Sequence, residues 1–272
     1  MTDKTSVYFA SSVGNSRENQ EDNALIANGR ILSREEVLYI SQSRQTYELA
    51  YECNLEDNLI IAVSDGMGGH ASGEVASAIS VGYLAENSRR IFDPAAITKE
   101  ALKGEISKLN RYVVESARER EELHGMGATL CGFVRKNGEL YGFNVGDSRL
   151  YSYRGEELEQ LSVDHTEGQR LLGLGLLSKD ECEKFPRRKN LYRYIGYNGE
   201  LVADAFKIEK SAYTTKLLLC TDGLTDVLSD EEMTEIFKTN QDIKQIGKIL
   251  IERALGRNAG YGDNITLILI EF

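Results

Sequence analysis

Four aspartates in this chain each adjoin a short apolar run. Leu59-Ile60-Ile61-Ala62-Val63-Ser64 leads into Asp65-Gly66, and Leu140-Tyr141-Gly142-Phe143-Asn144-Val145-Gly146 leads into Asp147. Leu217-Leu218-Leu219-Cys220-Thr221 leads into Asp222-Gly223, whereas Asp263-Asn264 precedes Ile265-Thr266-Leu267-Ile268-Leu269-Ile270. Short apolar runs bounded by turn residues read as buried strands. Three acids at strand exits and one at a strand entry converge if the last strand runs antiparallel to the others. Hard oxygen ligands gathered at one sheet edge suit Mg²⁺ or Mn²⁺. That combination points to metal-assisted phosphoester chemistry.

Asp65-Gly66-Met67-Gly68-Gly69-His70 reads as a strand, a glycine-rich turn and the start of a helix. Glycine lets the backbone approach an ion closely, so the Gly66 carbonyl is itself a candidate ligand. A lone Asp-Gly is ordinarily just a turn, but three more acids at matching strand ends weaken that explanation. Arg17-Glu18-Asn19-Gln20-Glu21-Asp22, taken alone, is a solvated charged loop. Beside the four aspartates, Glu21 and Asp22 could complete a two-metal site and Arg17 could clamp a phosphate bidentately. Asp222 and Asp226 stand one helical turn apart. His70, His124 and His165 are the only histidines, and no two have the spacing of a zinc site. The chain has no GxSxG elbow, no CxxxxxR loop and no Walker lysine. Carboxylates and an arginine without a protein nucleophile most simply activate water between two metals.

The elements that must position these groups are legible in outline. A strand is expected near Val7-Ser11, and the segment from about 30 to 57 reads as a polar, irregular excursion. A helix is expected from about Ser72 to Ile91, and a second carries Leu102, Ile106, Leu109, Val113 and Ala117 on one face. Strands cluster between Thr129 and Arg154, with a hairpin at Asn137-Gly138. The segment from Leu161 to Gly196 mixes helix and loop, and strands follow at Ala203-Ile208 and Leu217-Thr221. Ser178 with Glu181 and Ser229 with Glu232 fit capping boxes. The last helix presents Ile243, Ile246, Leu250 and Ala254, ending near Gly256 or Gly260. Clustered strands and paired helices disfavour a regular βαβ alternation. The expected fold is α+β, with two mostly antiparallel sheets and helices packed outside.

Composition narrows the partners. Hydrophobic residues make up 41% and charged residues 28% of 272 residues, which describes a globular chain. With only two prolines and no linker-like stretch, residues 1–272 read as one domain. A formal net charge of −11 and no dense basic block argue against nucleic acid. The four cysteines form no CxxC pair and read as small buried hydrophobes in a reducing compartment. The N-terminus lacks the apolar core of a signal peptide, and no stretch approaches the roughly 20 apolar residues of a membrane span. A soluble, cytoplasmic protein is expected.

Together these segments resemble the metal-dependent protein phosphatases (PPM, or type 2C serine/threonine phosphatases), especially their bacterial branch. The resemblance runs from about Ser11 to the C-terminus. It rests on Arg17-x-x-x-Glu21-Asp22, Asp65-Gly66-Met67-Gly68-Gly69-His70, Gly127-Ala128-Thr129, Gly146-Asp147-Ser148-Arg149, Thr221-Asp222-Gly223-Leu224-x-Asp226 and Gly262-Asp263-Asn264. It implies a four-layer α-β-β-α sandwich with the site in a cleft at one edge. Asp65 would bridge two Mn²⁺ or Mg²⁺ ions. Asp222 and Asp263 would complete one ion's ligands, and Glu21 with the Gly66 carbonyl the other's. Asp22 would hold metal-bound water, Asn264 would support Asp263, and Arg17 would bind the substrate phosphate. Asp147 and Asp226, with Asp222, match a third, weaker ion position. The implied reaction is hydrolysis of phosphoserine and phosphothreonine by a bridging hydroxide, without a phosphoenzyme. The implied partners are phosphorylated proteins and a cognate serine/threonine kinase, with a monomer expected.

The chain departs from the family pattern in places. Some members carry His directly after the first Asp-Gly, where Met67 stands here, so the general acid is either His70 or a metal-bound water. The bacterial flap, about residues 164–200, usually has His-Pro-x-x-Asn. Here it reads Phe185-Pro186-Arg187-Arg188-Lys189-Asn190, and its basic residues could meet an acidic phosphoprotein. Two other readings remain: a silent member acting as a binding module, and an aspartyl-phosphate enzyme using Asp222.

Overall fold

The computed structural model describes residues 4–54, 58–68, 72–92, 98–209, 214–257 and 262–272. The first half contains β1 (Lys4–Ser12), β2 (Asn23–Ile26), β3 (Arg30–Ile31), α1 (Arg34–Ser43), β4 (Tyr47–Asn54), β5 (Leu59–Ser64) and β6 (Gly66–Met67). Helices α2 (Ser72–Glu86), α3 (Ser88–Ile91) and α4 (Lys99–Glu119) follow. Next come β7 (Gly127–Ala128), β8 (Leu130–Lys136), β9 (Glu139–Val145), β10 (Arg149–Arg154), β11 (Glu157–Gln160), α5 (Glu167–Gly173) and α6 (Lys179–Lys184). The chain ends with β12 (Asp204–Ile208), β13 (Thr214–Cys220), α7 (Asp222–Thr225), α8 (Asp230–Thr239), α9 (Ile243–Arg257) and β14 (Ile265–Glu271).

Two six-stranded antiparallel sheets form, in the orders β11-β10-β13-β14-β1-β4 and β12-β9-β8-β5-β2-β3. Strand β13 illustrates how sequence builds the layers. Its alternate residues Leu217 and Leu219 join Val7, Phe9, Ile61, Val63, Phe133, Ile268 and Ile270 between the sheets. The intervening Leu218 and Cys220 turn outward to Met233, Ile246 and Leu250 of α8 and α9. The other sheet likewise turns Ile60, Leu130, Val134 and Phe143 toward Leu84, Leu102, Ile106 and Leu109 of α2 and α4. Strands covered on both faces need apolar residues at every position, which explains their continuous runs. The result is the expected α-β-β-α sandwich.

Two expectations need correction. The segment from 30 to 57 is not irregular where it is described. Ser33 and Glu36 form a capping box that starts α1, and β4 pairs with β1 as an edge strand. Tyr47, Leu49 and Tyr51 pack on the inter-sheet core at a spacing of two, while the short apolar run they make is broken by Glu48 and ended by Glu52. The helix expected over 72–91 breaks at Asn87, whose side chain donates to the Tyr83 carbonyl and competes with helix continuation. The Asn137-Gly138 hairpin forms as expected, with positive φ at both residues (49° and 75°). Gly260 lies outside the described residues, and α9 runs through Gly256 to Arg257.

Candidate metal and phosphate site

The acids do converge, but from two sheets instead of one sheet edge. Strands β5 and β9 both pair antiparallel with β8, so they run the same way and deliver Asp65 and Asp147 to one end of their sheet. In the other sheet β13 and β14 are antiparallel, so the exit of one and the entry of the other bring Asp222 and Asp263 together. Residues 13–22 cross between the sheets at this same end, because Ser12 of β1 pairs with Ile265 and Asn23 of β2 pairs with Ser64. Asn264 holds that crossing. Its side chain donates to the carbonyls of Val13 and Asn19 (both 3.0 Å) and accepts from the Glu21 N–H at 2.7 Å. Its own N–H donates to Asp263 Oδ1 at 2.8 Å.

A cleft of about 600 Å³ opens here, lined by Arg17, Glu21, Asp65, Gly66, Asp147, Asp222 and Asp263. Met67, Thr129, Lys189, Asn190, Leu191 and Tyr194 complete much of its wall. Asp22 lies beneath, buried, its Oδ2 accepting from Thr221 Oγ1 at 2.8 Å. Asp226 caps α7 and is paired with Lys189 of the flap. Arg17 Nη2 donates to Asp263 Oδ2 at 2.7 Å and is half exposed at the rim. His70 lies outside the described residues. Sequence reasoning missed the supports: Thr129 Oγ1 accepts from the Asp65 N–H at 2.9 Å, and Gln20 Nε2 donates to Ser11 Oγ at 2.6 Å. Small hydroxyl and amide residues carry no local sign of such a role.

Packing carboxylates this tightly is electrostatically unfavourable. Burial, reinforced by Asp226 and Asp263, pushes Asp222 up to about 7. Burial raises Asp22 to about 8 despite its hydroxyl partners. Asp65 and Asp147 are also raised well above the carboxylate range, first by burial and then by neighbouring aspartates. Among the described residues, the buried Oδ1 atoms of Asp22 and Asp222 have no hydrogen-bond partner. A divalent cation answers both problems, since it attracts buried oxygens and neutralises their repulsion. Asp263 and Asp226 are turned to Arg17 and Lys189, and no three acids among the described residues close into a ready-made cage. The donor set, hard carboxylate oxygens gathered at one cleft, fits hard divalent ions.

Gly66 shows how little room the site leaves. Its N–H donates to the Glu21 carbonyl at 3.2 Å. A Cβ there would stand 2.1 Å from the Gly73 carbonyl oxygen and 2.7 Å from that of Glu21. Both obstacles are backbone, so Gly66→Ala should force α2 and the 13–22 crossing apart. Overpacking of this kind costs about 3 kcal/mol, a fall of roughly 6–12 °C in melting temperature. Thermal unfolding without metal checks this, and an unchanged midpoint would show that the crossing yields freely.

An antiparallel α-β-β-α sandwich whose shared edge gathers acids and an arginine in one cleft is the architecture of the metal-dependent phosphatases. Comparison with known proteins agrees: residues 48–250 match the family model described as protein phosphatase 2C, and the chain belongs to that family. It is 35% identical over 222 residues to a serine/threonine phosphatase of Listeria welshimeri, covering 80% of this chain and 86% of that protein. It is 31% identical over 212 residues to the serine/threonine protein phosphatase PstP of Mycobacterium tuberculosis, covering 78% of this chain and 40% of PstP. The fold matches Staphylococcus aureus Stp1 with a TM-score of 0.78 at 25% identity, covering 100% of this chain and 95% of that one. It also matches the PstP catalytic domain in complex with two manganese ions, with a TM-score of 0.70 at 27% identity and 98% coverage of both chains. The chain is therefore a metal-dependent serine/threonine protein phosphatase of bacterial type, acting on phosphorylated proteins.

Proposed function

We propose that the chain hydrolyses phosphoserine and phosphothreonine by direct attack of water on phosphorus, in one domain spanning residues 1–272. The observation that carries this reading is a pair of buried, partnerless carboxylate oxygens, that of Asp222 in a cleft rimmed by Arg17 and that of Asp22 beneath it. Glu21, Asp65, the Gly66 carbonyl, Asp222 and Asp263 would hold two Mn²⁺ or Mg²⁺ ions, and Asp147, Asp222 and Asp226 a third. When bound, such ions supply an acidified water and positive charge for the phosphoryl oxygens. Arg17 exchanges Asp263 for the substrate phosphate, for which its planar guanidinium is suited. Asp22, raised by burial, accepts or returns a proton beneath the cleft. Cys131 and Cys220 are buried in strands and do not line the cleft, which leaves no thiol nucleophile among its described lining residues.

We further propose a cytoplasmic monomer opposing a serine/threonine kinase. No helix among the described residues is long and apolar enough to cross a membrane. The mechanism is tested by acid-quenching turnover of a ³²P-labelled phosphothreonine peptide with Mn²⁺. Label should pass only to inorganic phosphate. Radiolabel retained on the chain would mean an aspartyl-phosphate intermediate and end the direct-attack reading.

A further inference from the structure

His165 opens the flap segment and is 1% exposed. Its backbone N–H donates to the Gly146 carbonyl at 2.9 Å, and its Nδ1 accepts from the Gly146 N–H at 3.1 Å. One residue thus satisfies both main-chain polar groups of the glycine immediately before Asp147. Gly146 has φ +106°, and a Cβ there would meet Thr129 at 2.7 Å. The turn therefore has no side chain of its own to brace it and depends on bonds from elsewhere. Asn144 Nδ2 adds one more, donating to the Gly146 carbonyl at 3.2 Å.

The tautomer follows from the geometry. An N–H can only donate, so Nδ1 is unprotonated and Nε2 carries the proton. Nε2 lies 3.3 Å from Asp204 Oδ2 on β12 and 3.3 Å from Arg193 Nη1, whose hydrogens are directed to the other Asp204 oxygen at 3.2 Å. On the flap side, the His165 carbonyl accepts from the Tyr192 N–H at 3.0 Å. The imidazole and Tyr192 rings lie 5.7 Å apart between centroids.

We propose that His165 is a positioning residue whose Nδ1 sets the place of the Gly146-Asp147 backbone, and so the cation affinity of the position to which Asp147 contributes. This rests on the proposed assignment of Asp147 as a ligand. Asparagine can present an acceptor near Nδ1, whereas glutamine can present a donor near Nε2 but leaves the Gly146 N–H without its partner. Both lose the ring against Tyr192, so a purely structural role would affect them equally.

The test is Mn²⁺ titration of EDTA-stripped protein, read by the free-ion electron paramagnetic resonance signal, with melting temperature alongside. His165→Gln should weaken the lowest-affinity class of sites about tenfold or more, as loss of a bond supporting a ligand does. His165→Asn should stay within about threefold of the native chain, on that same scale, while both variants melt at similarly lowered temperatures. Equal affinity losses in the two variants, or none in either, overturn the proposal. Asp147→Asn is the control. If it binds Mn²⁺ as the native chain does, Asp147 is not a ligand, and both that assignment and this inference fall together.

Discussion

Asp222→Asn is expected to lower kcat/KM for a phosphothreonine peptide by about 10³-fold with Mn²⁺ present, corresponding to roughly 4 kcal/mol of lost transition-state stabilisation. The substitution is nearly isosteric, and the α7 start that holds it stays intact, with the Asp226 N–H donating to the residue-222 carbonyl at 2.8 Å. What changes is charge. The native carboxylate is buried with one oxygen unpartnered, among Asp226, Asp263 and Asp65. An amide relieves repulsion and leaves a poorer cation ligand, so the variant should be at least as stable without metal while losing activity. The assay uses peptide and p-nitrophenyl phosphate with Mn²⁺, Mg²⁺ or EDTA. Loss on the peptide alone would place Asp222 in substrate recognition. Full activity on both would remove it from the chemistry.

The second large effect concerns stability. Asp222 and Asp22 titrate near 7 and 8 in the folded chain, well above the roughly 3.9 of an unfolded aspartate. Between these values the native state holds protons that the unfolded chain has released, so its stability falls as pH rises. The contribution is complete below about pH 4 and is lost as pH passes through the folded values near 7 and 8. Metal-free protein should therefore melt lower at pH 8.5 than at pH 6. Saturating Mn²⁺ should oppose the trend by neutralising the same carboxylates. At a hundred times its dissociation constant a ligand adds about 2.7 kcal/mol, or roughly 5–10 °C here. Calorimetry across that pH range, with EDTA or Mn²⁺, decides the matter. Equal midpoints in all four conditions would falsify the claim that burial and mutual repulsion raise these carboxylates and that a cation relieves both.

Much of this was readable beforehand where the signal was local. Asp65, Asp222 and Asp263 stand out because each adjoins the end of an apolar strand. The capping boxes at Ser178 and Ser229 form as read, with side chain and backbone satisfying one another over three residues. The same signature stands at Ser33-Glu36, where the polar residues around it read as a loop although it starts α1. Strand β4 was hidden similarly. Its inward Tyr47, Leu49 and Tyr51 acquire meaning only beside β1, with which they pair in register.

The sequence by itself determined the kinds of group available: carboxylates at strand ends, a glycine where backbones nearly touch, and continuous apolar runs that commit the central strands to two covered faces. Tertiary structure decided which groups meet. It drew the acids from two sheets, gave Arg17 to Asp263 and Lys189 to Asp226, and seated His165 against Gly146. The physical reason is range. Propensity, capping and strand alternation act over a few residues, whereas Arg17 and Asp263 are separated by 246 positions. They meet because burying three apolar layers stacks the two sheets, and that stacking brings their ends to a common edge.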